Sequence, residues 1–175
     1  VGLGYANAGP THYATEDYSL AVNTITSSVY TMSDATQAAG FVDHFLKNPH
    51  HCFVRLDRAA GHDLHPKSNY DIGYRLLLSG GQTCVVTHGY FVGKVHSLIS
   101  SSGQERNVSL VDLFASKPLP NGILELLSSF KKVVFIDEQI RSSSLGTFVT
   151  PLLNSASPDT LIENIVLNEK FMFEN

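Results

Sequence analysis

The chain has 175 residues, of which 43% are hydrophobic and 16% charged, enough to bury the core of one domain and part of another. A net charge of -4 and the lack of a Lys/Arg run argue against a nucleic-acid partner, and no apolar stretch approaches the roughly 20 residues that cross a bilayer. We therefore expect a soluble cytoplasmic protein with Cys52 and Cys84 reduced. A first residue of Val1 suggests that the natural chain extends upstream.

The first sixty residues are predicted to run loop, helix, strand, helix, strand. The predicted elements are a loop at Gly2–Thr15, a short helix at Glu16–Asn23, a strand at Val29–Met32, a helix starting at Asp34 and a strand at Cys52–Leu56. The helix at Asp34 has the clearest pattern, because Gln37 stands where a capping-box partner is expected and apolar residues follow at helical spacing.

Residues 61–73 are polar and aperiodic, and we interpret them as a linker between residues 1–60 and residues 74–175. Strand and helix then alternate. Strands are predicted at Thr83–Thr87, Asn107–Leu113, Val133–Asp137 and Ile162–Leu167, and helices at Val92–Ser100, Gly122–Phe130 and around Leu145–Leu153. This alternation predicts an α/β fold with three α/β/α layers and a mainly parallel sheet.

Two histidine groups, His50-His51 and His62-Asp63-Leu64-His65, invite a metal-site interpretation. Neither has the helix-borne spacing of a known zinc motif, and polar loops commonly collect histidines. We interpret both groups as solvated loop residues.

Three segments of the first half occur together in one order. They are Gly9-Pro10-Thr11-His12 followed by Glu16-Asp17, then Ser33-Asp34-Ala35, then Cys52-Phe53-Val54-Arg55-Leu56-Asp57-Arg58. They resemble the G-P-T-H and E-D signature, the Asp-led helix and the R-x-x-R strand of the pyrimidine-binding domain of the transketolase family. Residues 1–60 are thus expected to be the last elements of such a domain.

The second half resembles the transketolase carboxy-terminal domain. The matching segments are Val85–Gly89, Val111–Leu113 with Lys117-Pro118-Leu119, Val134–Glu138 with its terminal acidic pair, and Ser144-Leu145-Gly146. The resemblance covers nearly the whole chain.

The resemblance implies a thiamine-diphosphate enzyme that moves a two-carbon ketol unit between sugar phosphates. By the family pattern, His12 is the catalytic residue that hydrogen-bonds a sugar hydroxyl and stabilises developing charge, and Arg58 grips the substrate phosphate. The structural alternatives are that His12 only orders its loop and that Arg58 pairs with Asp57 or Asp63. For Arg55, inside the strand, we favour a structural role.

Two departures from the family pattern matter. Ala8 stands where transketolases carry an acidic residue, so the usual donor selectivity is in doubt. The G-D-G…N element that holds diphosphate through Mg²⁺ does not occur, and the glutamate that activates the cofactor would precede Val1. We expect an inactive chain that needs an amino-terminal cofactor-binding domain or subunit, in an enzyme that forms a homodimer.

Two other functions stay open. The beta component of a 2-oxoacid dehydrogenase shares both domains, although its H-S-Q-S motif is missing at Thr11-His12-Tyr13-Ala14. A non-catalytic dimerisation module is the second alternative, because no cluster of nucleophile, base and orienting residue follows Tyr70.

Overall fold

A computed structural model describes residues 2–5, 9–58, 63–65, 70 and 72–170 of the chain. Fourteen helices and strands, α1 to α6 and β1 to β8, follow one another there, with a 3-10 turn at Arg141–Ser143. In chain order they are α1 (Pro10–Tyr13), α2 (Asp17–Asn23), β1 (Ser28–Thr31), α3 (Ala35–Lys47), β2 (Cys52–Arg55), β3 (Arg75–Leu78), β4 (Thr83–Thr87), α4 (Tyr90–Ser101), β5 (Val108–Asp112), β6 (Ala115–Lys117), α5 (Ile123–Ser128), β7 (Lys132–Ile140), α6 (Leu145–Ala156) and β8 (Leu161–Leu167). None of the described helices has the length and apolar character needed to span a membrane.

The larger sheet has the strand order β3-β5-β4-β7-β8, and all its neighbours run parallel except the edge strand β3. Side chains of β4 alternate between its two faces. Val85 belongs to a cluster with Val95 and Ile99 of α4, whereas Cys84 and Val86 belong to the cluster that contains α5 and α6 residues. Helices therefore cover both faces, which confirms the predicted three-layer, mainly parallel α/β/α architecture.

The smaller sheet has the order β2-β1-β6, with β1 parallel to β2 and antiparallel to β6. Helix α3 packs on it through Phe41, which shares a buried cluster with Tyr30 and Phe114. Strand β6 follows β5 in the chain, so the second half of the sequence supplies one strand of the smaller sheet. The division at residues 60 and 74 stays a prediction.

The start of α3 follows from its sequence. The Asp34 side chain accepts a hydrogen bond from the Gln37 N–H at 2.7 Å, and the Gln37 side chain accepts one from the Ser33 N–H at 2.7 Å. The predicted capping pair is confirmed, with its return bond displaced by one residue.

Three short elements were not predicted. Helix α1 lies in the predicted amino-terminal loop, β3 directly follows the predicted linker, and β6 has only three residues. Each element is too short to show a helical or strand periodicity of hydrophobic residues. Strands β3 and β6 are stabilised by pairing with β5 and β1.

Candidate functional site

The predicted catalytic residue His12 lies on the one-turn helix α1. Gly9 has a φ of 76°, a conformation that glycine adopts without strain, and its carbonyl accepts hydrogen bonds from the N–H groups of His12 and Tyr13. Tyr13 is buried in the core and His12 is exposed. The turn therefore anchors itself through one side chain and presents the imidazole to solvent.

Tyr5 brings the two predicted substrate residues together. Its ring stacks on the His12 imidazole with centroids 5.3 Å apart and planes at 28°, and the Arg58 guanidinium carbon lies 4.5 Å from the same ring's centroid. His12 and Arg58 thus contact one side chain, although 46 positions separate them in the sequence. Sequence reasoning missed Tyr5, and the only indication was an aromatic residue directly after Gly2-Leu3-Gly4.

Arg58, which follows β2, is exposed. Within the described part of the chain, Asp63 forms no ion pair with it. The Asp63 carboxylate instead accepts a hydrogen bond from the Thr36 N–H at 3.4 Å. Asp63 thus contacts the first turn of α3.

A buried ion pair holds the amino-terminal segment in place. Arg55, only 3% exposed, donates to Glu138 at 2.5 Å and to Asp17 at 3.3 Å. The other Glu138 oxygen accepts the Leu3 N–H at 2.8 Å, and the Gly2 N–H donates to the Tyr13 carbonyl at 2.8 Å. The segment that carries Tyr5 is thereby fixed to the end of β7.

The electrostatics identify Glu138 as the main partner of Arg55. Burial alone would lower the pKa of Arg55, but the negative charges of Glu138 and then Asp17 outweigh it and raise that pKa. Burial raises the pKa of Asp17 in spite of the neighbouring guanidinium. The structure agrees with the structural role favoured for Arg55.

His65 corrects the interpretation of its loop as solvated. His65 is fully buried, and its Nδ1 lies 2.8 Å from Asp34. Its Nε2 lies 3.1 Å from Asp112, which is an ion-pair distance without hydrogen-bond geometry. Asp112 also accepts hydrogen bonds from the Ser33 hydroxyl at 2.7 Å and the Gln37 amide at 3.2 Å. His50 and His51 are exposed as predicted, and His62 lies outside the described residues.

A second buried histidine joins β4 to β7. His88 Nε2 lies 3.3 Å from Asp137, whose other oxygen accepts the Leu145 N–H at 2.6 Å. Burial would raise the pKa of Asp137, but His88 and the Leu145 N–H lower it overall. The last residues of β1, β2, β4 and β5 are polar or charged, namely Thr31, Arg55, Thr87 and Asp112, as is usual at the carboxyl edges of parallel sheets.

The buried polar residues around Arg55, His65 and His88 and the outer residues Tyr5, His12 and Arg58 differ in what they could bind. No group of three or more His, Cys, Asp or Glu side chains among the described residues could hold a metal ion. These residues therefore do not fit a metal-bound diphosphate. The exposed side chains of His12 and Arg58 offer an imidazole and a guanidinium, which suit a hydroxyl and a phosphate.

A separate cavity of about 250 Å³ lies between α3, β6 and the loop after β6, with Tyr30, His44 and Tyr70 in its wall. Neither His12 nor Arg58 lines it. Cys52 and Cys84 are both free thiols, as predicted. Asn7 and Ala8, where the family pattern places an acidic residue, lie outside the described residues.

Solved transketolase structures share this architecture. A structure described as a split-gene transketolase, an inactive beta4 tetramer, matches 91% of this chain and 54% of its own with a TM-score of 0.79 and 21% identity. Transketolase from Leishmania mexicana matches 91% of this chain and 27% of its own with a TM-score of 0.66 and 16% identity. The chain thus spans about half the length of the first and about a quarter of the second.

No protein-family model matches the sequence, and no curated protein does. The similarity to solved structures, at these identities, concerns the fold. It agrees with the motifs, the sheet order and the three layers described above: the chain has the fold of the carboxy-terminal part of transketolase.

Proposed function

We propose that this chain forms the substrate-side and carboxy-terminal part of a transketolase-like enzyme that transfers a two-carbon ketol unit between sugar phosphates. The observation that carries the proposal is the contact of both His12 and Arg58 with the Tyr5 ring. An imidazole and a guanidinium held by one tyrosine ring provide a hydroxyl-binding group and a phosphate-binding group.

His12 is proposed to act on the sugar. The Thr11 hydroxyl lies 2.9 Å from Nδ1 of His12. When that hydroxyl donates a hydrogen bond to Nδ1, the imidazole carries its own hydrogen on Nε2. The Nε2–H then donates a hydrogen bond to the sugar oxygen that gains charge. Arg58 binds the phosphate, since a planar guanidinium offers two parallel N–H donors to phosphate oxygens.

Thiamine diphosphate, when bound, would supply the carbanion chemistry of this reaction. Because the described residues do not fit its metal-bound diphosphate, we propose that an amino-terminal domain or subunit holds the cofactor and Mg²⁺. The chain alone is then inactive. The structural match described as an inactive beta4 tetramer supports this part of the proposal.

The test combines the chain with its cofactor-binding half and measures ketol transfer from a ketose phosphate to an aldose phosphate. His12→Ala should lower turnover by roughly 10²- to 10³-fold, the usual effect of removing one donor to a developing oxyanion. His51→Ala, which removes an exposed histidine in another loop, is the matched control.

Each alternative function has its own outcome in this experiment. Turnover of branched 2-oxoacids instead of ketose phosphates would favour the dehydrogenase component. Full activity of the His12→Ala enzyme, with dimerisation intact, would favour a non-catalytic module. No binding of thiamine diphosphate by the complete enzyme in calorimetry would remove the proposal.

A further inference from the structure

We propose that Tyr5 is a positioning residue for anion binding: its ring holds the Arg58 guanidinium by a face contact that leaves the N–H donors of Arg58 unused for a phosphate group. The inference rests on the proposed function, since it concerns the same site. It assigns a role to a residue that none of the sequence motifs contains.

The first step is the contact between Arg58 and Tyr5. A guanidinium 4.5 Å from a ring centroid is within cation–π range, and this attraction acts through the face of the ring. The interaction uses none of the guanidinium hydrogen bonds, whereas an ion pair with a neighbouring carboxylate would use two of them. Arg58 is thus held in place and remains able to bind an anion.

The second step is that the backbone that carries Tyr5 is held in place, so the Tyr5 ring stays fixed when the Arg58 side chain moves. The Tyr5 N–H donates to the Gly2 carbonyl at 3.3 Å, and Glu138 and Tyr13 hold Leu3 and Gly2. Gly2 has a φ of 85°, and a Cβ at that position would lie 2.3 Å from a Glu138 oxygen. The backbone below Tyr5 is therefore closely fitted to a buried carboxylate.

The third step concerns the affinity for phosphate. An exposed arginine loses rotamer freedom when it binds an anion, and a stacked arginine has already lost part of it. The centroid of the His12 imidazole lies 5.3 Å from that of the same Tyr5 ring, so the site holds a hydroxyl-binding group as well as the guanidinium. The chemical class that fits is a small phosphorylated polyol or sugar.

The experiment is an NMR titration of the 175-residue chain with inorganic phosphate at constant ionic strength, observing the Arg58 Nε–H and the His12 ring protons. Tyr5→Leu should weaken phosphate binding about two- to fivefold, the effect expected from loss of one exposed cation–π contact. Tyr5→Phe keeps the ring and should bind within about twofold of the wild type. Arg58→Ala should lose the binding.

The chain offers a matched control. The Lys94 amine lies 5.2 Å from the centroid of the Tyr90 ring on α4, and Tyr90→Leu removes this second cation–π contact. That variant should bind phosphate like the wild type, so a loss confined to Tyr5→Leu is a local effect.

The outcomes separate this inference from the proposed function. Unchanged binding by Tyr5→Leu overturns the role of Tyr5 alone, and tighter binding shows that the ring obstructs the site. Arg58→Ala that binds like the wild type overturns the proposed phosphate grip as well. If Tyr5→Leu fails to fold, the wild type itself provides the test. An Arg58 Nε–H resonance that shows no ring-current shift would contradict the stacking on Tyr5.

Discussion

At the scale of single residues, the Arg55–Glu138 pair is the electrostatic contact that links the site to the core. Both side chains are about 2% exposed and lie 2.5 Å apart. Removing one partner of a buried pair leaves an uncompensated charge, which typically costs about 3–5 kcal/mol. Glu138→Gln should therefore lower the free energy of unfolding by several kcal/mol in urea titrations.

The exposed Lys132–Glu163 pair provides the control for this prediction. Its atoms lie 2.7 Å apart, but its side chains are 42% and 51% exposed. Glu163→Gln should cost at most about 1 kcal/mol, because water already solvates both charges. Equal effects of the two substitutions would show that Glu138 does not compensate Arg55.

His65 gives the stability of the fold a pH dependence. Burial lowers its pKa, but the negative charges of Asp112 and Asp34 outweigh this and raise the pKa above its ordinary value. A raised pKa in the folded state means that His65 stabilises the fold fully below pH 6.5, and that this contribution is lost as pH rises through the folded-state pKa.

The measurement compares the free energy of unfolding of the wild type and His65→Gln between about pH 5 and about pH 9. Their difference should shrink as pH rises through the folded-state pKa of His65. His51→Gln, at an exposed position, should keep the wild-type pH profile. A difference that grows with pH would contradict the assigned sign.

At the scale of elements, Asp34 both caps α3 and holds the loop that contains His65. Its carboxylate accepts the N–H groups of Gln37 at 2.7 Å, Leu64 at 2.9 Å and His65 at 3.1 Å. Loss of an ordinary cap costs about 1 kcal/mol, and each buried N–H left without an acceptor adds about 1–3 kcal/mol. Asp34→Ala should therefore destabilise the fold by several kcal/mol in urea unfolding.

Helix α6 offers the comparison for that cap. The Ser144 hydroxyl accepts the Thr147 N–H at 3.3 Å and holds no separate loop. Ser144→Ala should cost only about 1 kcal/mol. In addition, hydrogen exchange at the Leu64 and His65 amides should accelerate in Asp34→Ala and stay unchanged in Ser144→Ala. Equal destabilisation by the two variants would mean that Asp34 is only a cap.

The sequence was sufficient to predict those elements whose signals lie within a few neighbouring residues. Strand β4 was placed at its observed bounds, Thr83–Thr87, and α3 at its observed cap, because a compact apolar run and an Asp with a following Gln are visible within a few residues. Strands β3 and β6 were missed because their existence depends on partners far away in the chain.

The same distinction applies to the site. His12 and Arg58 stand in motifs and could be named, whereas Tyr5 is identified only by the rings and charges around it. His65 looked like a solvated loop residue because its partners Asp34 and Asp112 lie 31 and 47 positions away. Burial of a polar residue by distant partners leaves no pattern in the local sequence.

At the scale of the whole molecule, several contacts join the two sheets. Strand β6 pairs with β1, Asp112 of β5 binds Ser33 and Gln37, and Arg55 of β2 binds Glu138 of β7. Opening either sheet alone would expose these buried polar groups without their partners, at a cost of about 1–3 kcal/mol each. We therefore expect the described part of the chain to unfold as one cooperative unit.

The two cysteines make this testable, because Cys52 lies in β2 of the smaller sheet and the buried Cys84 lies in β4 of the larger one. Pulsed thiol labelling across a urea series, followed by mass spectrometry, should give the same midpoint for both cysteines, with Cys52→Ala and Cys84→Ala assigning each label. Glu138→Gln should move both midpoints together, because its ion pair spans the two sheets. Labelling of Cys52 at clearly lower urea than Cys84 would mean that the smaller sheet opens independently, and that the contacts between the sheets do not couple their folding.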